Sequence, residues 1–319
     1  MMDWTDRHCR VFHRLLAPSA RLYTEMVTTG AILHGDRSRL LDFSEVEHPV
    51  ALQLGGCEPE ALAECAGIAQ DWGYDEVNLN VGCPSDRVQR GRFGACLMHE
   101  PELVRDCLAA MLQAVDIPVT IKTRLGVDDL YSYAAFSDFV ACVTASGVQV
   151  VLAHARQALL AGLSPKQNRE IPPLHYDWVY RLKQEHPELQ VIINGGIDSV
   201  PAVQAHLAEV DGVMLGRAAY QNPWLLAELQ RLLWPGSEPE NRRAVVNALE
   251  AYLEQQVAAG NPVKHITRHV LGLFQGQPGA RQWRRYLSEN AHQEDDNPAI
   301  LAQALDAMRP VRRKVARRA

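Results

Sequence analysis

The stretch Asn78-Leu79-Asn80-Val81-Gly82-Cys83-Pro84-Ser85 joins a β-strand to the loop that ends it. Val77, Leu79 and Val81 alternate with Asn78 and Asn80, so one face of the strand is apolar and the other carries amides. The Gly-Cys-Pro turn then stops the strand. A thiol presented just past a strand end, beside amide side chains, is how a barrel enzyme displays a reactive group. Cysteine is also among the most buried residue types. The flanking glycine, proline and polar loop set Cys83 apart from that background.

Outward from this stretch, short β-branched runs alternate with longer helical patterns from residue 21 to residue 234. Strands are expected at 21–25, 50–55, 76–82, 117–124, 148–154, 189–194 and 211–215. Helices are expected between them at 59–72, 101–115, 132–146, 176–186 and 199–209. Such alternation means a parallel sheet with right-handed crossovers. Repeated this often, it means a TIM-type (β/α)8 barrel, a fold of ~250 residues. Seven strands are one short of eight. Residues 3–16 read as a loop entering an amphipathic helix, with only Met1 and Met2 before them, so the first strand is expected upstream of this start.

Residues 235–242 (PGSEPENR) have linker composition. Beyond them, 243–259, 263–275, 280–290 and 298–316 have helical spacing and no strand signal. The expected organisation is therefore a barrel over 1–234, a linker over 235–242, and a small all-α domain with a basic tail over 243–319.

The bulk properties fit this plan. The 319 residues carry a net charge of −6, with 47% hydrophobic and 22% charged residues, ordinary for a globular protein. No apolar run approaches the ~20 residues of a membrane span. Seven cysteines with no C-x-x-C spacing argue against a disulfide framework or a structural zinc site, and for a reducing cytoplasm. Residues 1–219 hold 18 Lys/Arg against 28 Asp/Glu, whereas residues 220–319 hold 14 against 10. An acidic body with a basic appendage is the balance expected of a polyanion-binding domain.

A barrel gathers its active groups at the C-terminal ends of its strands. Read in turn, those ends are Gln53; Asn80 and Cys83; Lys122 and Arg124; His154 and Arg156; Asn194-Gly195-Gly196; and Gly216-Arg217. Lys122 and Arg124 share one side of a strand. Cations aimed at a barrel interior need an anionic partner, and these strand ends supply no inward acid, so a bound anion is expected. Glycines in the last two βα turns let backbone N–H groups approach a phosphate at a helix N-terminus. A phosphate cup there, with a lysine and a glutamine at the mouth, points to flavin mononucleotide, with Lys122 at the edge of the ring where negative charge develops on reduction. The basic segment Ser85–Gly94 beside the thiol reads as a lid that meets a polyanion.

These residues resemble the tRNA-dihydrouridine synthases of the A-type subfamily. The matching stretches are DWTDRHCR (3–10), YTEMVTTGA (23–31), HPVALQLGG (48–56), NLNVGCPSDRVQ (78–89), HAR (154–156), NREIPPL (168–174), INGGI (193–197), GRAAYQNP (216–223) and the RQWRR region (281–285). The resemblance implies a barrel holding FMN, a C-terminal helical domain that grips tRNA, and reduction of the C5–C6 bond of D-loop uridines 20 and 20a, with NADPH as electron source. It implies that Cys83 protonates C5 after hydride reaches C6; a thiol with an ordinary pKa of ~8.5 is mostly protonated at neutral pH.

The same resemblance assigns FMN contacts to Met1, Met2, Gln53, Lys122, His154, Asn194, Gly195, Gly196, Gly216 and Arg217. It assigns tRNA contacts to Asn80, Lys166, Arg169, Arg281 and Arg284. The chain departs from the pattern at the front, where relatives carry a strand ending Ala-Pro-Met and only Met1 and Met2 remain, and at Gln157, where many have lysine. A cytoplasmic monomer with no metal is expected. Two other readings stay open from the residues: an FMN-dependent reductase of free pyrimidines, related to dihydroorotate dehydrogenases, and a flavin-free tRNA-binding protein.

Overall fold

The computed structural model describes residues 1–308 of the chain. Its contacts divide the chain into two units: Met1–Arg10 with Arg21–Gly216, and Val11–Ala20 with Arg217 onward.

The first unit is built on seven strands: β1 (Leu22–Thr28), β2 (Val50–Gly55), β3 (Glu76–Val81), β4 (Val119–Arg124), β5 (Val150–His154), β6 (Gln190–Asn194) and β7 (Gly212–Met214). They form one sheet in the order β1-β2-β3-β4-β5-β6-β7, every neighbouring pair parallel. All seven fall where the apolar alternation predicts them. Sequential parallel neighbours joined by helices are the TIM-type arrangement, here a curled, open sheet. No pairing joins β1 to β7 among the described residues.

The covering helices show why the sequence pattern was readable. Pro59–Asp71 buries Leu62, Cys65, Ala66 and Ala69; Pro101–Ala114 buries Val104, Cys107, Leu108 and Met111; Tyr133–Thr144 buries Phe136, Phe139, Val140 and Val143. Each set follows the same i, i+3, i+4, i+7 spacing, a single stripe facing the sheet. Each fully buried large side chain contributes roughly 1.5–3 kcal/mol. Proline opens the first two helices, where its missing N–H costs nothing.

Register fixes which residues share a level inside the sheet. Gln53, Asn78 and Thr120 are direct neighbours on β2, β3 and β4. Asn80 pairs with Lys122 and Lys122 with Leu152 one level up. Arg124, His154 and Asn194 form the next level. The polar strand ends are thus stacked rows.

The second unit is helical. Helices Arg217–Gln221, Trp224–Leu233, Arg242–Ala258, Lys264–Thr267, Ala280–Asn290 and Ile300–Ala307 are joined by turns. Two expectations change here. The pattern over 263–275 predicts a helix, but only Lys264–Thr267 forms one; Gly272, Gly276 at φ +75° and the Pro278-Gly279 pair turn the chain instead. The contact division also falls at Gly216, not in 235–242. Phe12, Leu16, Trp224 and Ala227 share one apolar cluster with Val245, Leu249, Trp283 and Leu301, and this draws Val11–Ala20 and the helices after β7 into the second unit. Of the pattern at 298–316, Ile300–Ala307 is helical, and the part beyond 308, with the basic tail, lies outside the described residues.

Trp283 anchors this unit. It is fully buried, packs against Phe274 at 4.9 Å between ring centroids, and donates its indole N–H to the Val270 carbonyl at 3.1 Å. Trp283→Ala would leave a large void and an unpaired carbonyl, so unfolding of this unit should become easier by about 3–5 kcal/mol. Denaturant titration followed by far-ultraviolet circular dichroism checks this; an unchanged midpoint would contradict the placement of Trp283.

Candidate active site

Cys83 lies at the end of β3, half-buried, in a turn held from two sides. The Asn80 side-chain oxygen accepts hydrogen bonds from the backbone N–H groups of Gly82 (3.1 Å) and Cys83 (3.0 Å). The Cys83 carbonyl accepts from the Ala95 N–H at 2.9 Å. Gly94 sits directly beneath at φ +76°; a Cβ there would lie 2.6 Å from the Cys83 oxygen and 2.4 Å from Val88 Cγ1. Only glycine fits that position. The thiol itself points towards Ser85 Oγ at 3.6 Å. Cys65 and Cys107 behave differently: both are buried, and burial pushes their thiols up to about 12. They are core; Cys83 is displayed.

The segment after Cys83 forms a short helix, Asp86–Arg90, and not an unstructured loop. Gln89 ties it down by donating to the Pro84 carbonyl at 3.0 Å and the Leu160 carbonyl at 2.9 Å.

The two cations of β4 have separate jobs, which sequence reasoning did not distinguish. Arg124 is buried and spends its guanidinium on backbone carbonyls: Gly82 (2.8 Å), Gln157 (2.9 Å) and Asn168 (3.0 Å). It needs no bound anion. Burial, opposed by Cys83 and helped by Arg169 and Arg156, lowers it to about 10. Lys122 is the exception. Among the described residues no hydrogen-bond or ion-pair partner meets its ammonium, and burial, with Arg124 nearby, lowers it to about 8. A protein that holds an unpartnered ammonium at the mouth of a sheet presents a seat for negative charge.

Around Lys122 stand uncharged polar groups. Gln53 donates to Asn78 at 2.9 Å and accepts from Asn80 at 2.9 Å. His154 is buried; desolvation first, then Arg124 and Lys122, hold it well below its ordinary value, so it is a neutral imidazole. Gly195, at φ +121°, lies so close that a Cβ would meet His154 Cδ2 at 2.7 Å. Gly196 follows at φ +68°, Tyr176 donates to the Gly195 carbonyl at 2.6 Å, and the Asn194 amide donates to the Met214 carbonyl at 2.8 Å. Gly216 follows β7, with Met1 Sδ 3.8 Å from where its Cβ would be. The Met1 amino group bonds Thr5 Oγ1 at 2.5 Å and is lowered to about 6, chiefly by desolvation, while Met2 is exposed. A lone cation, amides, a neutral imidazole and glycine-lined turns fit the polar ring edge and phosphate of a flavin.

Lys166 and Arg169 are exposed on the turn around Gln167–Arg169, whose Asn168 is buried and bonded to Leu159 and Leu163. Arg281 and Arg284 are exposed on Ala280–Asn290, opposite buried Trp283 and Leu287. Arg217 opens Arg217–Gln221, in the second unit. Among the described residues no cluster of three or more His, Cys, Asp or Glu could hold a metal, and no helix is long and apolar enough to cross a membrane.

Lys122 gives a pH signature. Its folded pKa lies below the unfolded value of 10.5, so between about 8 and 10.5 the unfolded chain binds more protons and stability rises with pH. Lys122→Met removes that rise. Its stability advantage over the ligand-free wild type should therefore be largest below pH 8 and shrink towards pH 10.5, as read by parallel denaturant titrations. A pH-independent difference would mean that Lys122 has a partner.

Residues 1–309 match the family model described as "Dihydrouridine synthase (Dus)". The tRNA-dihydrouridine(20/20a) synthase of Xanthomonas axonopodis pv. citri is 60% identical over 96% of this chain and 91% of its own. That of Vibrio parahaemolyticus is 57% identical over 96% of this chain and 94% of its own. A solved structure of mandelate oxidase with 3,3-difluoro-2-hydroxy-3-phenylpropionic acid aligns with 71% of this chain and 66% of its own, at 15% identity and a TM-score of 0.45. Matched along almost its whole length, the chain belongs to the dihydrouridine synthase family.

Proposed function

We propose that this protein reduces the C5–C6 bond of uridines 20 and 20a in the tRNA D loop, with FMN as its flavin, NADPH as the electron donor and Cys83 as the proton donor. Family membership makes it a flavin-dependent oxidoreductase acting on tRNA uridines. The observation that supports the finer reading best is the pairing of an unpartnered Lys122 with a displayed thiol one strand away. Both free-pyrimidine reduction and a flavin-free role lose ground to membership of this family.

A reduced flavin supplies hydride when bound. Gln53, Lys122, His154, Asn194, Gly195, Gly196, Gly216 and the Met1-Met2 segment would hold it, the Lys122 ammonium placed against the ring edge that gains negative charge. Cys83 Sγ would give its proton to C5 of the uracil. Asn80 keeps Cys83 in place by accepting its backbone N–H, and one amide hydrogen of Asn80 remains to meet the nucleotide. The uridine must leave the folded tRNA to reach the thiol, and phosphate contacts elsewhere offset that cost. Lys166 and Arg169 on their exposed turn, and Arg281 and Arg284 on the helical unit, would supply them. A monomer in the cytoplasm completes this reading.

Cys83→Ala should retain flavin and NADPH oxidation but lose most dihydrouridine formation, measured by mass spectrometry of digested tRNA over many turnovers. Normal product formation by the variant would sink the assignment.

Arg281→Ala with Arg284→Ala should weaken tRNA binding and flatten its salt dependence by roughly one unit of slope for each phosphate that is no longer neutralised. NADPH oxidation without tRNA should be unchanged. Affinity measured at several salt concentrations decides this, and superimposable curves would remove the helical face from the tRNA surface.

A further inference from the structure

Inside the sheet, below the site, a line of side chains runs from the beginning of β3 to the Cys83 turn. Glu76 accepts hydrogen bonds from Arg21, from the Tyr23 hydroxyl at 2.9 Å and from the Thr120 hydroxyl at 2.6 Å. Thr120 Oγ1 in turn accepts from the Asn78 amide at 2.8 Å. Asn78 accepts from Gln53 at 2.9 Å, and Gln53 accepts from Asn80 at 2.9 Å. Asn80 accepts from the N–H groups of Gly82 and Cys83. Glu76, Asn78 and Thr120 are all buried.

The direction of this line is dictated at both ends. The Glu76 carboxylate, paired with Arg21, can only accept, so the Thr120 hydroxyl must donate to it and offer its lone pair to Asn78. Backbone N–H groups can only donate, so Asn80 must turn its oxygen to Gly82 and Cys83 and its NH2 to Gln53. Gln53 and Asn78, in the middle, have two amide orientations each. Only one satisfies both ends. A flip of either amide sets NH2 against NH2 and oxygen against oxygen, in a buried place where each unmade hydrogen bond costs ~1–3 kcal/mol.

We propose that Glu76, Thr120 and Asn78 are positioning residues for the reductive chemistry: this one-way line of hydrogen bonds fixes which face Gln53 and Asn80 present at the strand ends, and through Asn80 it holds the turn that carries Cys83. None of the three touches the reacting atoms. The catalytic consequence rests on the function proposed above; the effect on the Cys83 turn does not.

The test removes the hydroxyl and keeps the shape. Thr120→Val leaves the Asn78 NH2 without its acceptor, so the line loses its anchor on Glu76 and is braced from the Asn80 end alone. Thr120→Ser keeps the hydroxyl. The first readout is the rate of iodoacetamide labelling of Cys83 in flavin-free protein, quantified by mass spectrometry of the peptide that contains it. We expect Thr120→Val to change that rate by about threefold or more, with Thr120→Ser matching wild type, since freeing a held turn alters access to its thiol. The second readout is tRNA reduction, where kcat should fall by about tenfold in Thr120→Val with KM for tRNA little changed, and be restored in Thr120→Ser. If Thr120→Val does not fold, Glu76→Gln carries the same test: its NH2 must face either Arg21 or the Thr120 and Tyr23 hydroxyls, and labelling should shift in the same sense. Wild-type labelling in whichever variant folds overturns the proposal. Altered labelling with no tRNA reduction even by wild type would uphold the line of bonds and overturn the functional reading instead.

Discussion

Parallel strands in fixed register carry the site. Because side chains alternate along each strand, one residue of slip would send every inward polar group of that strand outward. The register Gln53–Asn78–Thr120, with Asn80–Lys122 above it and Arg124–His154–Asn194 above that, turns residues from five strands into three stacked rows. The lowest row is bonded along its length, Gln53 to Asn78 to Thr120, with Asn80 meeting it at one end and Glu76 at the other. In the top row, Arg124 and Asn194 are tied to backbone carbonyls. The middle row includes Lys122, an ammonium that burial lowers to about 8 and that no hydrogen bond or ion pair meets among the described residues. A site emerges where the internal pairing is left incomplete.

The apolar stripes of the covering helices hold that register. Leu62, Cys65, Ala66 and Ala69 on one helix, and Val104, Cys107, Leu108 and Met111 on the next, lock against the outer faces of the strands. Burial of that outer face is what allows the inner face to be so polar. The same division explains the cysteines: Cys65 and Cys107, on helix stripes, are packing residues, whereas Cys83 lies half-buried in the turn beyond β3.

Much of this was legible in the sequence. All seven strands, the covering helices and the display of Cys83 follow from periodicity and from glycine and proline placement. Lys122 was legible as a cation in need of an anion. Arg124 was not separable from it, because the carbonyls it binds come from Gly82, Gln157 and Asn168, and pattern reading along one strand cannot see chain that returns from elsewhere. The Glu76–Thr120–Asn78 line was only partly visible: alternation put Asn78 on one face with Asn80, but its meeting with Thr120 and Glu76 depends on inter-strand register. The limits of 263–275 failed for a different reason, since apolar spacing persists there while glycine and proline break the backbone.

Arg124 has a wider consequence. One planar fork joins the Gly82 carbonyl, immediately before Cys83, to the carbonyls of Gln157 and Asn168 in the excursion that follows β5. Exposed Lys166 and Arg169 ride on that same excursion. The excursion that carries those two cations and the turn that bears the thiol are thus fastened to one common pin. A lysine could not replace that pin, because a single ammonium on a flexible stem lacks the rigid, divergent donors that span three carbonyls at once. Arginine therefore works here as joinery, and its charge is incidental to the use made of its shape.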